Sequence, residues 1–318
     1  MKIVTTTINP PTEATKRFAA LALQNNWTFY VVGDTKTPHE LYEKLEGVTY
    51  LHPDYQERRY KQLSDVIGWK SIQRRNIGFV EAYYESNEDE VIATIDDDNI
   101  PNQYWGNNLI CYLNSNKFQI RHYTPENNFI FDPISVTHVG DKLWHRGYPI
   151  EFLQNRKSNI AASELVSPLV QADFWDGDPD IDAIARLTHK PHVDFSEDRC
   201  KFPFTSKYIH PFNSQNTFLH RSIIKHYAVW PHIGRMDDIW GGYYLQTKIN
   251  PNQVIYHSAS VIQERNKQDL ITNLENEIIG YRKTYNWLKS GTLLTSEFIP
   301  DKTLKFLDIY FNEYEKSR

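Results

Sequence analysis

A run of β-prone, mostly apolar residues, Val91-Ile92-Ala93-Thr94-Ile95, leads straight into three carboxylates, Asp96-Asp97-Asp98, and then Asn99. The run favours a buried strand. Three unpaired acids cannot follow it into a core, because burying unpaired charge is too costly. The strand must therefore end at Ile95 with the acids at its C-terminal tip, which is where ligands bind in an open α/β sheet. Adjacent carboxylates on a fixed strand end are hard oxygen ligands suited to Mg2+ or Mn2+. Read locally, the triplet is either a divalent-metal site holding a phosphorylated ligand or a charged turn.

The residues before it read as alternating strands and helices. Lys2 to Thr7 is a β-branched strand ended by Asn9-Pro10-Pro11, and Thr12 is a candidate N-cap for a helix over Ala14 to Gln24. A strand over 27–32 closes at Gly33-Asp34; a helix over 38–45, a strand over 48–51 and a helix over 71–84 follow. This β-α-β-α-β order predicts parallel strands with helices on both faces. After the triplet the pattern predicts a helix over 101–114 and strands over 118–123 and 134–139. A loop-rich stretch over 146–215 contains Arg146-Gly147-Tyr148-Pro149, Asp173-Phe174-Trp175-Asp176-Gly177-Asp178-Pro179-Asp180 and a short helix near 181–187. A strand over 217–220, a helix over 221–228, a helix starting near Met236-Asp237-Asp238 and a strand over 254–257 come next, and helical patterns dominate from 267. No linker or repeat interrupts the chain, so one catalytic domain over 1–265 carries a helical C-terminal extension over 266–318.

With 318 residues, 40% hydrophobic and 24% charged, the chain is an ordinary globular protein with room for a large core. Its net charge of −5 excludes a nucleic-acid binder relying on a broad basic face, while leaving room for a local phosphate site. The two distant cysteines, Cys111 and Cys200, read as free thiols in a reducing compartment. The N-terminus lacks a signal-peptide core, and no apolar run is long enough to span a membrane, so a cytoplasmic protein is expected. Aromatic content of 14% is weakly suggestive of carbohydrate stacking, although aromatic cores are commoner.

Several positions could serve the triplet. Arg74-Arg75-Asn76, near a helix start, reads as a phosphate contact or a solvated basic turn. Asp34 reads as a ribose or base acceptor, or as a turn residue. Asp237-Asp238 is a helix cap or a catalytic base, and the glycines around it, Gly234, Gly241 and Gly242, tilt towards function by permitting close ligand approach. His257 ends a strand and could complete a metal site, although a lone histidine is more often structural. Phosphate-loop, dinucleotide, nucleophile-elbow and CxxC motifs are missing from the sequence.

In combination these pieces resemble glycosyltransferases of the GT-A fold. Val4-Thr5-Thr6-Thr7-Ile8-Asn9-Pro10-Pro11-Thr12, Val31-Val32-Gly33-Asp34, Arg75-Asn76-Ile77-Gly78 and Asp96-Asp97-Asp98-Asn99 are similar to STELLO-type glycosyltransferase-like domains. Ile95-Asp96-Asp97-Asp98, Arg146-Gly147-Tyr148-Pro149, Arg235-Met236-Asp237-Asp238-Ile239-Trp240-Gly241-Gly242 and Ile255-Tyr256-His257-Ser258 are similar to the reversibly glycosylated polypeptide (UDP-arabinopyranose mutase) family. The resemblance spans roughly residues 1 to 265.

The resemblance implies a Rossmann-like, mixed but mainly parallel sheet and a nucleotide-sugar donor, a UDP-sugar first among them. It implies a DxD-type motif in which Asp98 chelates a divalent ion, Mn2+ or Mg2+, with Asp96 and His257 as further ligands. Thr6, Asp34, Arg74, Arg75, Asn76, Asp96 and Asp97 would hold the nucleotide sugar. Asp237 and Asp238 would sit by the reacting sugar, and Arg146 matches the mutase arginine linked to self-glycosylation. Where mutases carry cysteine after the triplet, this chain has Asn99. The expected activity is metal-dependent transfer of a sugar to a glycan or other hydroxyl acceptor. A nucleotide-sugar mutase, a non-catalytic regulatory subunit, and a metal-dependent nucleotidyltransferase or phosphohydrolase are the alternatives. Self-association is left open.

Overall fold

The computed structural model describes residues 1–111, 116–195, 202–265 and 268–316; Cys200 lies outside them. The first strand, β1 (Lys2–Thr7), leads to α1 (Glu13–Asn25), whose N-cap is Thr12: its hydroxyl accepts the Thr15 N–H at 3.1 Å. Then come β2 (Thr28–Gly33), α2 (His39–Glu43), β3 (Thr49–Leu51), α3 (Pro53–Arg59), α4 (Lys61–Ile67), α5 (Arg75–Tyr84) and β4 (Val91–Ile95). The apolar run before the triplet is thus a fully buried strand, and it stops at Ile95 as the charge argument requires. The second half holds β5 (Asn99–Pro101), β6 (Phe118–Pro125), β7 (Ser158–Ile160), β8 (Glu164–Val166), β9 (Val170–Gly177), α6 (Ala183–His189), β10 (Phe204–Thr205) and β11 (Asn216–His220). It closes with α7 (Arg221–Ile224), α8 (Asp237–Gln246), β12 (Val254–Gln263), α9 (Leu270–Ser290) and α10 (Asp301–Glu313).

The strands form one mixed α/β sheet in the order β3-β2-β1-β4-β11-β9-β12-β10-β6-β7, with β5 beside β12 and β8 beside β6. β3, β2, β1 and β4 are mutually parallel, the order of half a Rossmann-like sheet, with its switch point between β1 and β4. β11 runs antiparallel to both β4 and β9, and β12 is parallel to β9. One rim of the sheet therefore collects the C-terminal ends of β1, β2, β4, β9 and β12 and the start of β11. The acid triplet stands on that rim, and Asn216 of β11 pairs with Ile95 just beneath it.

A single large hydrophobic cluster runs from Ile3 through Trp240 to Tyr310 and Tyr314. α9 joins it through Trp287, which stacks on Trp240 with ring centroids 4.5 Å apart. Among the described residues no helix is long and apolar enough to cross a membrane.

Three expectations about local structure fail. The stretch after the triplet is not a helix over its described residues, 101–111: β5 ends at Pro101 and turns follow, because Asn99 to Pro101 pair with β12, and residues 112–114 of the expected helix lie outside the described residues. Residues 133–136 form a 3-10 turn, capped by the Asp132 carboxylate, where a strand was expected. Val170 to Gly177, inside the loop-rich stretch, is a central strand. Its two acids, Asp173 and Asp176, imitate loop composition, but β11 and β12 flank it on both sides.

Gly78 packs α5 onto the parallel block. A Cβ there would stand 2.5 Å from Val4 Cγ1 and 2.7 Å from Val32 Cγ2. Gly78→Ala should therefore lower stability by about 1–3 kcal/mol through overpacking, read as a drop in the urea midpoint with an unchanged slope.

Candidate active site

The rim opens into a cleft of about 670 Å3, flanked by a smaller hollow of about 340 Å3; Lys70, Ser71 and Ile72 line both. The hollow lies over the ends of β1 and β2, lined by Thr6, Thr7, Ile8, Asp34 and Asp97 among others. The cleft lies over the other strand ends and brings Asp96, Arg146, Asp180, Asp237, Asp238 and Arg265 together from distant parts of the sequence.

The three acids of the triplet have different partners. Asp96 Oδ1 accepts from Arg75 Nη2 at 2.6 Å, and Arg75, itself buried, also donates to Ser214 Oγ at 2.9 Å. Asp97 Oδ2 accepts from the Thr7 hydroxyl and from Asn9 Nδ2 (2.9 Å), which fastens the triplet across the β1–β4 switch point. Asp98 is different: its Oδ1 is buried with no hydrogen-bond partner. Burial, reinforced by the Asp96 charge, pushes its carboxyl up to about 7.

A network of buried charges forms the far wall. Arg146 donates through Nε and Nη2 to Asp180 Oδ2 (3.0 and 2.7 Å) and through Nη1 and Nη2 to the two oxygens of Asp238 (2.9 and 3.2 Å). Asp180 also pairs with Arg235 at 2.9 Å and Arg265 at 3.0 Å. Burial alone would raise its carboxyl, but the three guanidinium groups hold it well below the usual carboxylate range. Asp238 also accepts from the Ser214 N–H at 2.8 Å; burial opposes its charge, yet Arg146 keeps its carboxyl low. Asp237 is a weaker partner of the network. Its Oδ2 accepts from Gln73 Nε2 at 2.9 Å, and Arg146 stays 3.9 Å away. Burial, with the neighbouring Asp238 charge, pushes its carboxyl up to about 7. Two adjacent acids in one pocket thus have opposite character: Asp238 is a fixed anion and Asp237 can take up a proton near neutral pH.

Some expected site residues sit elsewhere. Arg74 stacks on Trp69, 3.6 Å from the ring centroid, and its Nε donates to Gln56 Oε1 at 2.9 Å, so it lines neither cavity. Burial lowers its guanidinium to about 10. Asn76 is buried, its side chain bonded to both the N–H and the carbonyl of Val229, and it holds α5 to the segment before α8. Arg75 lies beneath the cleft and acts through Asp96. Asp34 does line the hollow, but its carboxylate already accepts the Lys70 and Ser71 N–H groups at 2.7 and 3.1 Å.

His257 does not join the triplet. Asp98 meets β12 at Glu264, whose N–H donates to the Asp98 carbonyl, and His257 lies seven residues earlier, roughly 20 Å along the strand. Its Nδ1 accepts the Ser258 N–H at 2.9 Å and it lines a separate pocket. Among the described residues no three His, Cys, Asp or Glu side chains gather into a metal-holding group. A cation fits at the triplet only in the way Mg2+ is commonly held, by one or two carboxylates with substrate phosphates and water. Asp96, which lines the cleft, and Asp97, which lines the hollow, are open to such a ligand; Asp98 lines neither cavity and its unpartnered oxygen is buried.

Sequence reasoning missed Arg265, Asp180, Ser214 and Gln73. Asp180 carried a faint signal, an acid-rich turn after a strand; the others carried none. No protein-family model matches the chain, and no curated protein matches it.

Asp237 should leave a pH signature. Its folded form keeps a proton that the unfolded chain loses near pH 4. Its contribution to stability therefore falls as pH rises from about 4 to about 7 and is level above that. Asp237→Asn should gain stability relative to the wild type across that window, measured as urea midpoints at several pH values. An offset that does not change with pH would refute the shifted carboxyl.

Proposed function

We propose that the protein transfers a sugar from a nucleotide-sugar donor, a UDP-sugar by preference, to a hydroxyl acceptor with the help of Mn2+ or Mg2+. The observation that carries this reading is the acid triplet on the rim of the parallel block, with Asp97 lining the hollow and Asp96 lining the cleft that shares one wall with it. The nucleoside would occupy the hollow against Thr6, Asp34 and Asp97. The diphosphate would cross at the triplet, from Asp97 in the hollow to Asp96 in the cleft, and the sugar would enter the cleft. A divalent ion held there would offset charge on the leaving diphosphate.

The remaining work belongs to the chain. Arg75 orients Asp96 through the 2.6 Å hydrogen bond to its Oδ1. Arg146 and Ser214 fix Asp238 as an anion that cannot readily accept a proton. Asp237 takes the proton from the acceptor hydroxyl as its oxygen bonds to the anomeric carbon and the bond to the diphosphate oxygen breaks. Transfer is favoured over a mutase that glycosylates itself at Arg146, because every nitrogen of that guanidinium is engaged with Asp180, Asp238 or the Arg235 carbonyl.

Calorimetry with UDP, GDP and CDP, each with and without Mn2+, should detect metal-dependent binding of at least one nucleotide, and Asp96→Asn should remove the metal dependence. Absence of binding under every condition would sink the donor site. In a nucleotide-sugar panel with product analysis, Asp237→Asn should lower turnover by about 100-fold or more while leaving donor affinity nearly unchanged. Loss of donor binding would instead place Asp237 in the nucleotide site.

A further inference from the structure

A third pocket, of about 180 Å3, shares no lining residue with the cleft or the hollow. It exists because β12 leaves its register with β9. Pairing passes from His257 opposite Asp173 to Val261 opposite Trp175, so three residues of β12 face one of β9. Bulges of this kind re-aim side chains. This one is held out by the Asn102 N–H on the Ser260 carbonyl and Asn216 Nδ2 on Ser260 Oγ, both at 2.9 Å.

The lining mixes donors and acceptors. Asp173 is 6% exposed; its Oδ1 accepts from Gln171 Nε2 at 2.8 Å, and among the described residues it has no ion-pair partner. Burial pushes its carboxyl up to about 7. His257 Nδ1 accepts the Ser258 N–H, so the ring proton of the neutral imidazole is on Nε2, which is a donor. Ser258 brings a hydroxyl, and Tyr104, 60% exposed, adds an aromatic ring to the lining.

This chemistry selects its ligand. An anion is opposed by Asp173. A bare cation would use the carboxylate but would meet the imidazole N–H in the same small space. A neutral polyol satisfies both, because each hydroxyl donates and accepts. The C–H face of a sugar ring also suits an exposed tyrosine. The volume admits one ring and is too small for a nucleotide.

We propose that this pocket binds a single neutral sugar ring and holds a sugar unit of the acceptor outside the transfer cleft. The second half of that statement rests on the transferase reading; the first does not.

Saturation-transfer NMR on the full chain, with methyl glycosides of glucose, galactose, mannose and arabinose as probes, tests it. At least one glycoside should receive saturation at its ring protons. Tyr104→Ala, at an exposed position that should not disturb folding, should weaken binding about three- to tenfold. Asp173→Asn should remove the signal, with nucleotide binding by calorimetry unchanged in both variants. No transfer to any glycoside, or transfer undiminished by Tyr104→Ala, overturns the pocket assignment. Binding of ammonium ion in place of any glycoside also overturns it, by assigning the pocket to a cation. Sugar binding without nucleotide binding would leave the pocket standing and remove its link to transfer.

Discussion

The guanidinium of Arg146 is the interaction on which the cleft depends. It compensates two buried carboxylates, Asp180 after β9 and Asp238 at the start of α8, and it also donates to the Arg235 carbonyl. Without it Asp238 would lie in the wall with no ion-pair partner among the described residues, a condition that costs several kcal/mol when one partner of a buried pair is lost. Because Asp180 also pairs with Arg235 and Arg265, the network joins the loop before Pro149, the end of β9, the start of α8 and the end of β12. Arg235 extends it to α9 through Glu277 at 2.8 Å. This side of the cleft is tied together by ion pairs.

That network gives neighbouring acids different surroundings. Asp238 is bonded by Arg146 and Ser214, so its negative charge is fixed. Asp237, one residue earlier, is 3.9 Å from the same guanidinium and can change its protonation state near neutral pH. The triplet repeats the pattern: Asp96 is held by Arg75 and Asp97 by Thr7 and Asn9, and only Asp98 retains a buried oxygen without a partner. In both places, hydrogen bonding to neighbours decides which of several chemically identical side chains is held and which is not.

The pattern of failures in the sequence reading has one physical source. The N-terminal half is built from local signals: β-branched runs, the Thr12 cap and the Gly33 turn each act within a few residues, and each appears where expected. The second half is built from strand pairing between distant segments. Asp173 and Asp176 made β9 look like a loop because the neighbours that enclose it, β11 and β12, arrive from elsewhere in the chain. His257 looked like a partner of the triplet because it was read as the end of a strand, but β12 runs on to Gln263. The bulge and the register of β12 instead place it in a different pocket.

The sequence by itself determined that a buried strand ends at Ile95 in three acids, because charge cannot continue into a core. It also determined that the first strands are parallel, because short crossovers of helical pattern separate them. It named Asp237-Asp238 as a second acidic pair but could not say which of the two is held as an anion. That was decided by tertiary structure, which brought Arg146 from 91 residues upstream of Asp237 onto one of them and left the other facing the cleft. Arg265, Ser214 and Gln73 enter the site for the same reason: their positions follow from how the strands and loops meet at one rim, which no local pattern encodes.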